Sequence, residues 1–319
     1  MNLFSKIVIA GFAIITFSCD NENSTNTSSK TVSTAAITTA TPKKFLFDAT
    51  KAETAGNADW VIDADAVPQR FPTPAQSNVT ATTTESFWRG ALSSWGIALA
   101  KLGHTVETLP SGTAITYGGT GAQDLKNYDV FVVDEPNTRF TSAEKTAILN
   151  FVKNGGGLFM ISDHTVSDRN NDGWDSPAIW NDLMSTNSVQ TNPFGITITL
   201  NNFSETTSNR LSATTNPILN GSQGTVTQLK YSNGATMSIN TSANATAQGL
   251  IWRGSSSQGT SNIMCATATF GTGRVVVIGD SSPADDGTGA TGDTLYPGWT
   301  ELASHSRLHM NASLWLAKL

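Results

Sequence analysis

Four apolar runs in this chain pass straight into acidic or hydroxyl-bearing residues, and that arrangement limits the folds open to it. They are Phe45-Leu46-Phe47-Asp48, Val130-Phe131-Val132-Val133-Asp134-Glu135, Leu158-Phe159-Met160-Ile161-Ser162-Asp163-His164 and Val275-Val276-Val277-Ile278-Gly279-Asp280-Ser281-Ser282. Short apolar runs with little alternation are the pattern of strands covered on both faces, as in a parallel sheet. In an open parallel sheet, ligands bind in the crevice beyond the carboxyl ends of the strands. The four runs therefore predict a site as well as a sheet.

Helical signals fall between the runs. Residues 87–102 place Phe87, Leu92, Trp95, Leu99 and Leu102 near one helical face, with Gly103 as the stop, and Thr105 to Leu109 reads as a further strand. Thr141-Ser142-Ala143-Glu144 is a capping box, followed by the apolar stripe Ala147, Ile148, Phe151 and Val152 before Gly155. The alternation predicts an α/β fold with a doubly wound, mostly parallel sheet of flavodoxin-like order. Between about residues 188 and 260 the rhythm changes: Ile196 to Leu200 alternates with period two amid Asn, Ser, Thr and Gly, which predicts a β-rich insertion. A helix carrying Leu314, Trp315 and Leu316 closes the chain, and no GxGxxG, Walker or CxxC motif and no internal repeat occurs.

The 319 residues are 38% hydrophobic, enough to bury a large core. A net charge of −6 and the lack of any Lys/Arg run exclude a nucleic-acid partner and favour a cationic ligand or a metal. Near the start, Lys6 precedes an apolar run from Ile7 to Phe17 that is too short for an ordinary membrane span. With Cys19 after Ser18, this resembles a bacterial lipoprotein signal, and Asp20-Asn21-Glu22 resembles a surface-export signal of Bacteroidetes lipoproteins. The resemblance implies a signal peptide over 1–18, lipid on Cys19 as the membrane partner, and a cell-envelope location. Residues 19–43, nearly all Ser, Thr, Asn and Ala, are expected to be a disordered tether, leaving 44–319 as the folded domain. Cys265 then has no disulfide partner and reads as an inert buried strand residue.

The layout resembles a known superfamily. Asp124-Leu125-Lys126-Asn127-Tyr128-Asp129-Val130, Asn154-Gly155-Gly156-Gly157-Leu158, Gly271-Thr272-Gly273-Arg274-Val275 and Asn311-Ala312-Ser313-Leu314-Trp315-Leu316 occur in the order seen in class I glutamine amidotransferase-like proteins. They are more similar to the trehalose-utilisation-type branch than to true amidotransferases. The resemblance implies the fold but not the glutaminase chemistry. Where those enzymes carry a nucleophilic cysteine this chain has Ser162, Asp163 and His164, and their late histidine falls on Gly279-Asp280-Ser281.

The replacement residues suggest other chemistry. Asp168, Asn170 and Asp172 before Gly173 match the first half of a calcium loop, but its twelfth position is Ile179, so remaining ligands must come from elsewhere; Asp285 and Asp286 are candidates. Calcium is expected ahead of magnesium. The loop after the first strand offers Asp48, Glu53 and Trp60 for substrate, with Trp174 and Ser281, and Trp180, Tyr296 and Trp299 lie near the same loops. Asp163, His164 and Asp280 are the candidate acid–base groups, and Ser162 is a candidate nucleophile with His164 or His305 as its base. His305 and His309, four apart on the last helix, read as capping and packing groups rather than zinc ligands. Together these residues predict an exported cation-dependent hydrolase, or related enzyme, acting on a carbohydrate or phosphoester. The alternative is a non-catalytic surface module that binds glycans or protein through calcium-held loops.

Overall fold

The computed structural model describes residues 41–64 and 67–319, so the expected signal peptide, Cys19 and most of the tether lie outside the described residues. Its strands are β1 (Lys44–Asp48), β2 (Thr105–Leu109), β3 (Val130–Asp134), β4 (Gly157–Ile161), β5 (Ile196–Ile198), β6 (Phe203–Thr207), β7 (Asn220–Gly221), β8 (Gly224–Thr225), β9 (Leu229–Gly234), β10 (Met237–Ile239), β11 (Gln248–Trp252), β12 (Ile263–Phe270) and β13 (Gly273–Ile278). The helices are α1 (Ser93–Lys101), α2 (Ser142–Lys153), α3 (Ser176–Ser185), α4 (Gly298–Glu301) and α5 (Ala303–Leu316). Lys43 is already tied down, its Nζ 3.0 Å from Asp129 Oδ1.

All the apolar runs noted in the sequence lie in one sheet. Its parallel part has the order β2-β1-β3-β4-β13, the flavodoxin-like order, and β12 then pairs antiparallel with β13. The expected β-rich insertion appears as β5 to β11: β10, β5 and β11 extend the main sheet beyond β12, while β6–β9 and β7–β8 form two small antiparallel pairs.

Side-chain alternation along β3 divides the core. Phe131 and Val133 join Ile148, Phe151, Ile179 and Trp180 of α2 and α3 on one face, whereas Val130 and Val132 join Trp95, Leu99, Leu308 and Leu316 of α1 and α5 on the other. Each face is closed by polar ties as well as by packing. Thr141 accepts from Glu144 N–H while Glu144 accepts from Thr141 N–H, so the expected capping box forms. Trp180 Nε1 donates to Ile161 O at 2.9 Å, fixing the end of β4. Cys265 is fully buried in β12, and burial pushes its thiol up to about 12, so it is the inert residue expected.

One helix starts later than the apolar spacing indicates. Residues 85–87 form a 3₁₀ turn, and α1 begins only at Ser93. The chain between them is held by contact with the β1 loop: a Cβ on Gly90 would sit 2.2 Å from Val61 O. Close backbone approach there overrides helical periodicity.

Phe159 on β4 is fully buried, edge-on to Trp95 at 5.1 Å and stacked on His309 at 5.6 Å. Phe159→Ala is expected to lower stability by about 3–5 kcal/mol. Urea unfolding monitored by tryptophan fluorescence checks this.

Candidate functional site at the carboxyl edge of the sheet

Strand register brings the acidic ends together. Asp134 of β3 lies level with Ile161 of β4, which lies level with Ile278 of β13, so Glu135, Ser162-Asp163 and Gly279-Asp280 leave the sheet side by side. The strand order reverses between β1 and β3, and the loop following β1 contributes Asp48 and Glu53 at that switch point. Asp48, Glu53, Asp134, Glu135, Asp163 and Asp280 are all buried.

Glu135 is the centre of the cluster. It sits at φ 45°, a left-handed conformation that a non-glycine residue seldom adopts, directly after β3. Its N–H still donates to Ile161 O at 3.1 Å. Arg169 grips its carboxylate through Nε and, at 3.2 Å, through Nη2, while Ser281 Oγ donates to Glu135 Oε2 at 2.9 Å. The same Nη2 lies 3.5 Å from Asp163 Oδ2, so one guanidinium reaches both buried carboxyls. Burial, with the Glu135 and Asp280 carboxylates nearby, pushes Asp163 well above the usual carboxylate range, which favours its neutral form.

Asn137, fully buried, ties three loops around this pair. Its N–H donates to Lys51 O at 2.7 Å, its Nδ2 to Glu135 O at 2.8 Å, and its Oδ1 accepts from Arg169 N–H at 3.0 Å. In the β1 loop, Lys51 Nζ reaches the capping-box carboxylate of Glu144 at 2.7 and 2.8 Å. In the same loop burial raises Asp48 to about 6, and burial together with the nearby Asp48 charge raises Glu53 well above its ordinary value.

The other sequence-derived residues are placed as follows. Asp280 accepts from the N–H groups of Ser282, at 2.8 Å, and Ser232, and burial raises it to about 7. Asp285 accepts from Gly287 and Tyr296 N–H, and Asp286 from Ser94 and Thr288. Asp168 accepts from Asp172 N–H at 3.0 Å and Gly173 N–H at 2.8 Å, and Asp172 from Trp174 N–H at 2.9 Å. Asn170 Oδ1 faces Asp172 N–H at 3.3 Å. Asp168, Asn170 and Asp172 thus accept within their own turn, whereas Asp280 and Asp286 also bind the backbone of remote segments, and among the described residues no three His, Cys, Asp or Glu side chains converge as metal ligands.

Ser162 is fully buried and its hydroxyl faces Asp163 O at 3.3 Å, not an imidazole. His164 Nδ1 lies 2.6 Å from Thr165 O and its Nε2 3.8 Å from Asp163 Oδ2. His305 is engaged by Gly298 O and Lys230 N–H, so the serine–histidine pairing considered from the sequence does not form. Trp60, Trp180 and Trp299 are shut from solvent, whereas Trp174 keeps one face for the Arg139 guanidinium 3.9 Å away. Beside the Asp280 turn a pocket of ≈ 100 Å³ is lined by Lys230, Ser232, Ser282, Tyr296 and His305.

Glu135, Asn137 and Arg169 are the functional candidates that sequence reasoning missed. Two consecutive acids at the end of a fully apolar strand are the signal that could have found Glu135. Arg169 and Asn137 give no comparable signal, because their roles come from contacts across 32 and 34 residues.

The fold and site define a flavodoxin-like α/β protein with a buried carboxyl cluster at its switch point. Among solved structures the chain is similar to the mmIFT52 N-terminal domain (14% identity, 86% of this chain and 97% of that one, TM-score 0.48). It is also similar to a cytoplasmic protein of Salmonella typhimurium (12%, 86% and 98%, TM-score 0.49) and to a ThuA-like protein of Bacteroides uniformis (11%, 87% and 93%, TM-score 0.42). No protein-family profile matches the chain, and no curated protein matches it.

The raised carboxyls fix a pH dependence. Burial also pushes Asp59 to about 8 and Asp285 to about 7. The folded state binds more protons than the unfolded chain wherever pH lies between the ordinary value near 3.8 and these raised ones. Their stability contribution is therefore complete below pH ~4 and is lost as pH rises toward ~8, at up to about 1.4 kcal/mol per pH unit for each group. Thermal melts across that range are expected to show a falling midpoint, with Asp59→Asn flattening the upper part of the decline.

Proposed function

We propose that the chain is an exported hydrolase, tethered to the cell envelope through Cys19, that cleaves a carbohydrate at the carboxyl edge of its sheet. The observation that carries this reading is that one guanidinium joins two buried carboxyls, Arg169 Nη2 lying 3.2 Å from Glu135 Oε2 and 3.5 Å from Asp163 Oδ2. Such a pair suits general acid–base work: Glu135 takes a proton from the attacking water, and Asp163 gives its own to the leaving oxygen. Arg169, its side chain 19% exposed, is the member of the cluster that reaches solvent, and it fixes the orientation of Glu135.

Electrostatics favours a neutral sugar over a phosphoester. A phosphate would approach Asp134, Glu135, Asp163 and Asp280 with one guanidinium to offset them, and that guanidinium already bonds two of the four. Sugar hydroxyls carry no charge to repel and find acceptors throughout the cluster. The resemblance of the sequence layout to the trehalose-utilisation-type branch is compatible with this substrate class.

One observation favours the non-catalytic alternative. Asp168, Asp172, Asp280, Asp285 and Asp286 serve as turn acceptors, so this half of the acidic set acts as loop scaffold. Panels of chromogenic aryl glycosides, acylated sugars and aryl phosphates decide between the readings. Turnover of a sugar substrate is expected to fall by about 10²–10⁴-fold in Glu135→Gln and in Asp163→Asn, the unfolding midpoint staying close to wild type in Asp163→Asn, whose neutral form is already favoured, and falling in Glu135→Gln, which gives up the Arg169 ion pair. Turnover of phosphates alone, or unchanged turnover in both variants, would overturn the proposal.

A further inference from the structure

The turn that leaves β13 faces a pocket as well as the carboxyl cluster. Asp280 accepts from the N–H groups of Ser232 and Ser282, while Ser281 of the same turn donates to Glu135 at 2.9 Å. Ser232 and Ser282 also line the ≈ 100 Å³ pocket, with Pro283, Tyr296, Pro297 and His305. Residues 280–282 are thus a wall shared by the pocket and the cluster. The Tyr296 segment is joined to the cluster too: Tyr296 N–H donates to Asp285 at 2.8 Å, Thr294 N–H to Asn57 O at 3.0 Å, and Asn57 Oδ1 lies 3.1 Å from Arg169 Nη1.

The pocket is preformed and carries no unpaired charge. His305 is held at both ring nitrogens, by Gly298 O at 2.7 Å and Lys230 N–H at 3.0 Å, and burial favours its neutral form. Lys230 and Glu301, which also line it, pair with each other. The hydroxyls of Ser232 and Tyr296 have no hydrogen-bond partner among the described residues, and Pro283 and Pro297 supply apolar surface. The volume is smaller than the roughly 150 Å³ that takes a benzene ring, so a whole sugar ring does not fit and a substituent of about four heavy atoms does.

We infer that this pocket binds the acetyl group of an acetylated neutral sugar. The acetyl oxygen accepts from the Tyr296 and Ser232 hydroxyls, and its methyl packs on Pro283 and Pro297. A hydroxymethyl group would leave much of the space empty, and a carboxylate would meet no unpaired cation. The inference rests on the proposed carbohydrate substrate and narrows it, seating the acetyl group across residues 280–282 from Asp163 and Glu135.

Saturation-transfer difference NMR on the full chain, with N-acetylglucosamine, glucose and acetate as separate probes, tests the site. The acetyl methyl of N-acetylglucosamine is expected to take the strongest saturation, with glucose and acetate near background. Tyr296→Phe removes one hydrogen bond and is expected to weaken binding about fivefold. Ser232→Leu fills the pocket and is expected to abolish the signal; should it fail to fold, Tyr296→Phe decides. No acetyl saturation in wild type, equal saturation of glucose, or unchanged binding in the folded variants would overturn the site. Acetyl binding without turnover of any sugar in the panel would leave the pocket standing and overturn the hydrolase reading, and turnover without acetyl saturation would do the reverse.

Discussion

The grip of Arg169 on Glu135 is the interaction on which the carboxyl edge depends. Register places the ends of β3, β4 and β13 side by side, and each end is acidic. Uncompensated, such a cluster would carry a desolvation penalty of several kcal/mol per ion. One guanidinium, bonded twice to Glu135 and once more weakly to Asp163, offsets part of it, and protons on Asp163 and its neighbours remove much of the rest. Arg169 reaches this position because its own N–H is fixed by Asn137, and Asn137 in turn is fixed by the loop following β1. Three segments remote in sequence thus stand or fall together.

Backbone strain at Glu135 belongs to the same arrangement. A φ of 45° costs of order 1–3 kcal/mol for a residue with a side chain, and it persists only where surroundings over-determine it. Here the N–H bond to Ile161 O, the bonds from Arg169 and Ser281, and the Asn137 bond to the carbonyl of Glu135 all act on one residue. In this chain the positive φ comes after β3, on a carboxylate, one strand away from Ser162, Asp163 and His164 at the end of β4.

Much of the architecture was legible in the residues because it is set by local patterns. Val130 to Val133 and Val275 to Ile278 could only be doubly covered strands, and Thr141 with Glu144 named the start of α2 before any contact was known. The placement of Asp163 and Asp280 at one sheet edge was legible because strand ends in a parallel sheet converge. Two kinds of feature escaped. The start of α1 is set by Gly90 pressed on the Val61 carbonyl, a contact that periodicity does not register. The partners of Arg169 are chosen by pairing across 32 and 34 residues, whereas the Asp168–Asp172 pattern, read as a cation loop, takes its donors from the same turn. Local side-chain-to-backbone bonds and cation loops draw on the same residues, so composition alone cannot separate them.

Protonation connects stability to chemistry in this molecule. Asp48 and Glu53 in one loop, and Asp163 among Glu135 and Asp280, are buried carboxyls whose neutral forms are favoured. Glu53 accepts from Lys51 N–H in the switch-point loop, which Lys51 Nζ holds against α2; Asp163 and Glu135 are the proposed acid–base unit. Rising pH therefore acts on both at once, loosening the loop that seats Asn137 while removing the proton that Asp163 would donate. On the proposed reading, the distribution of charge, with the acids inward and one arginine at the surface of the cluster, favours a neutral hydroxyl-rich ligand over an anion.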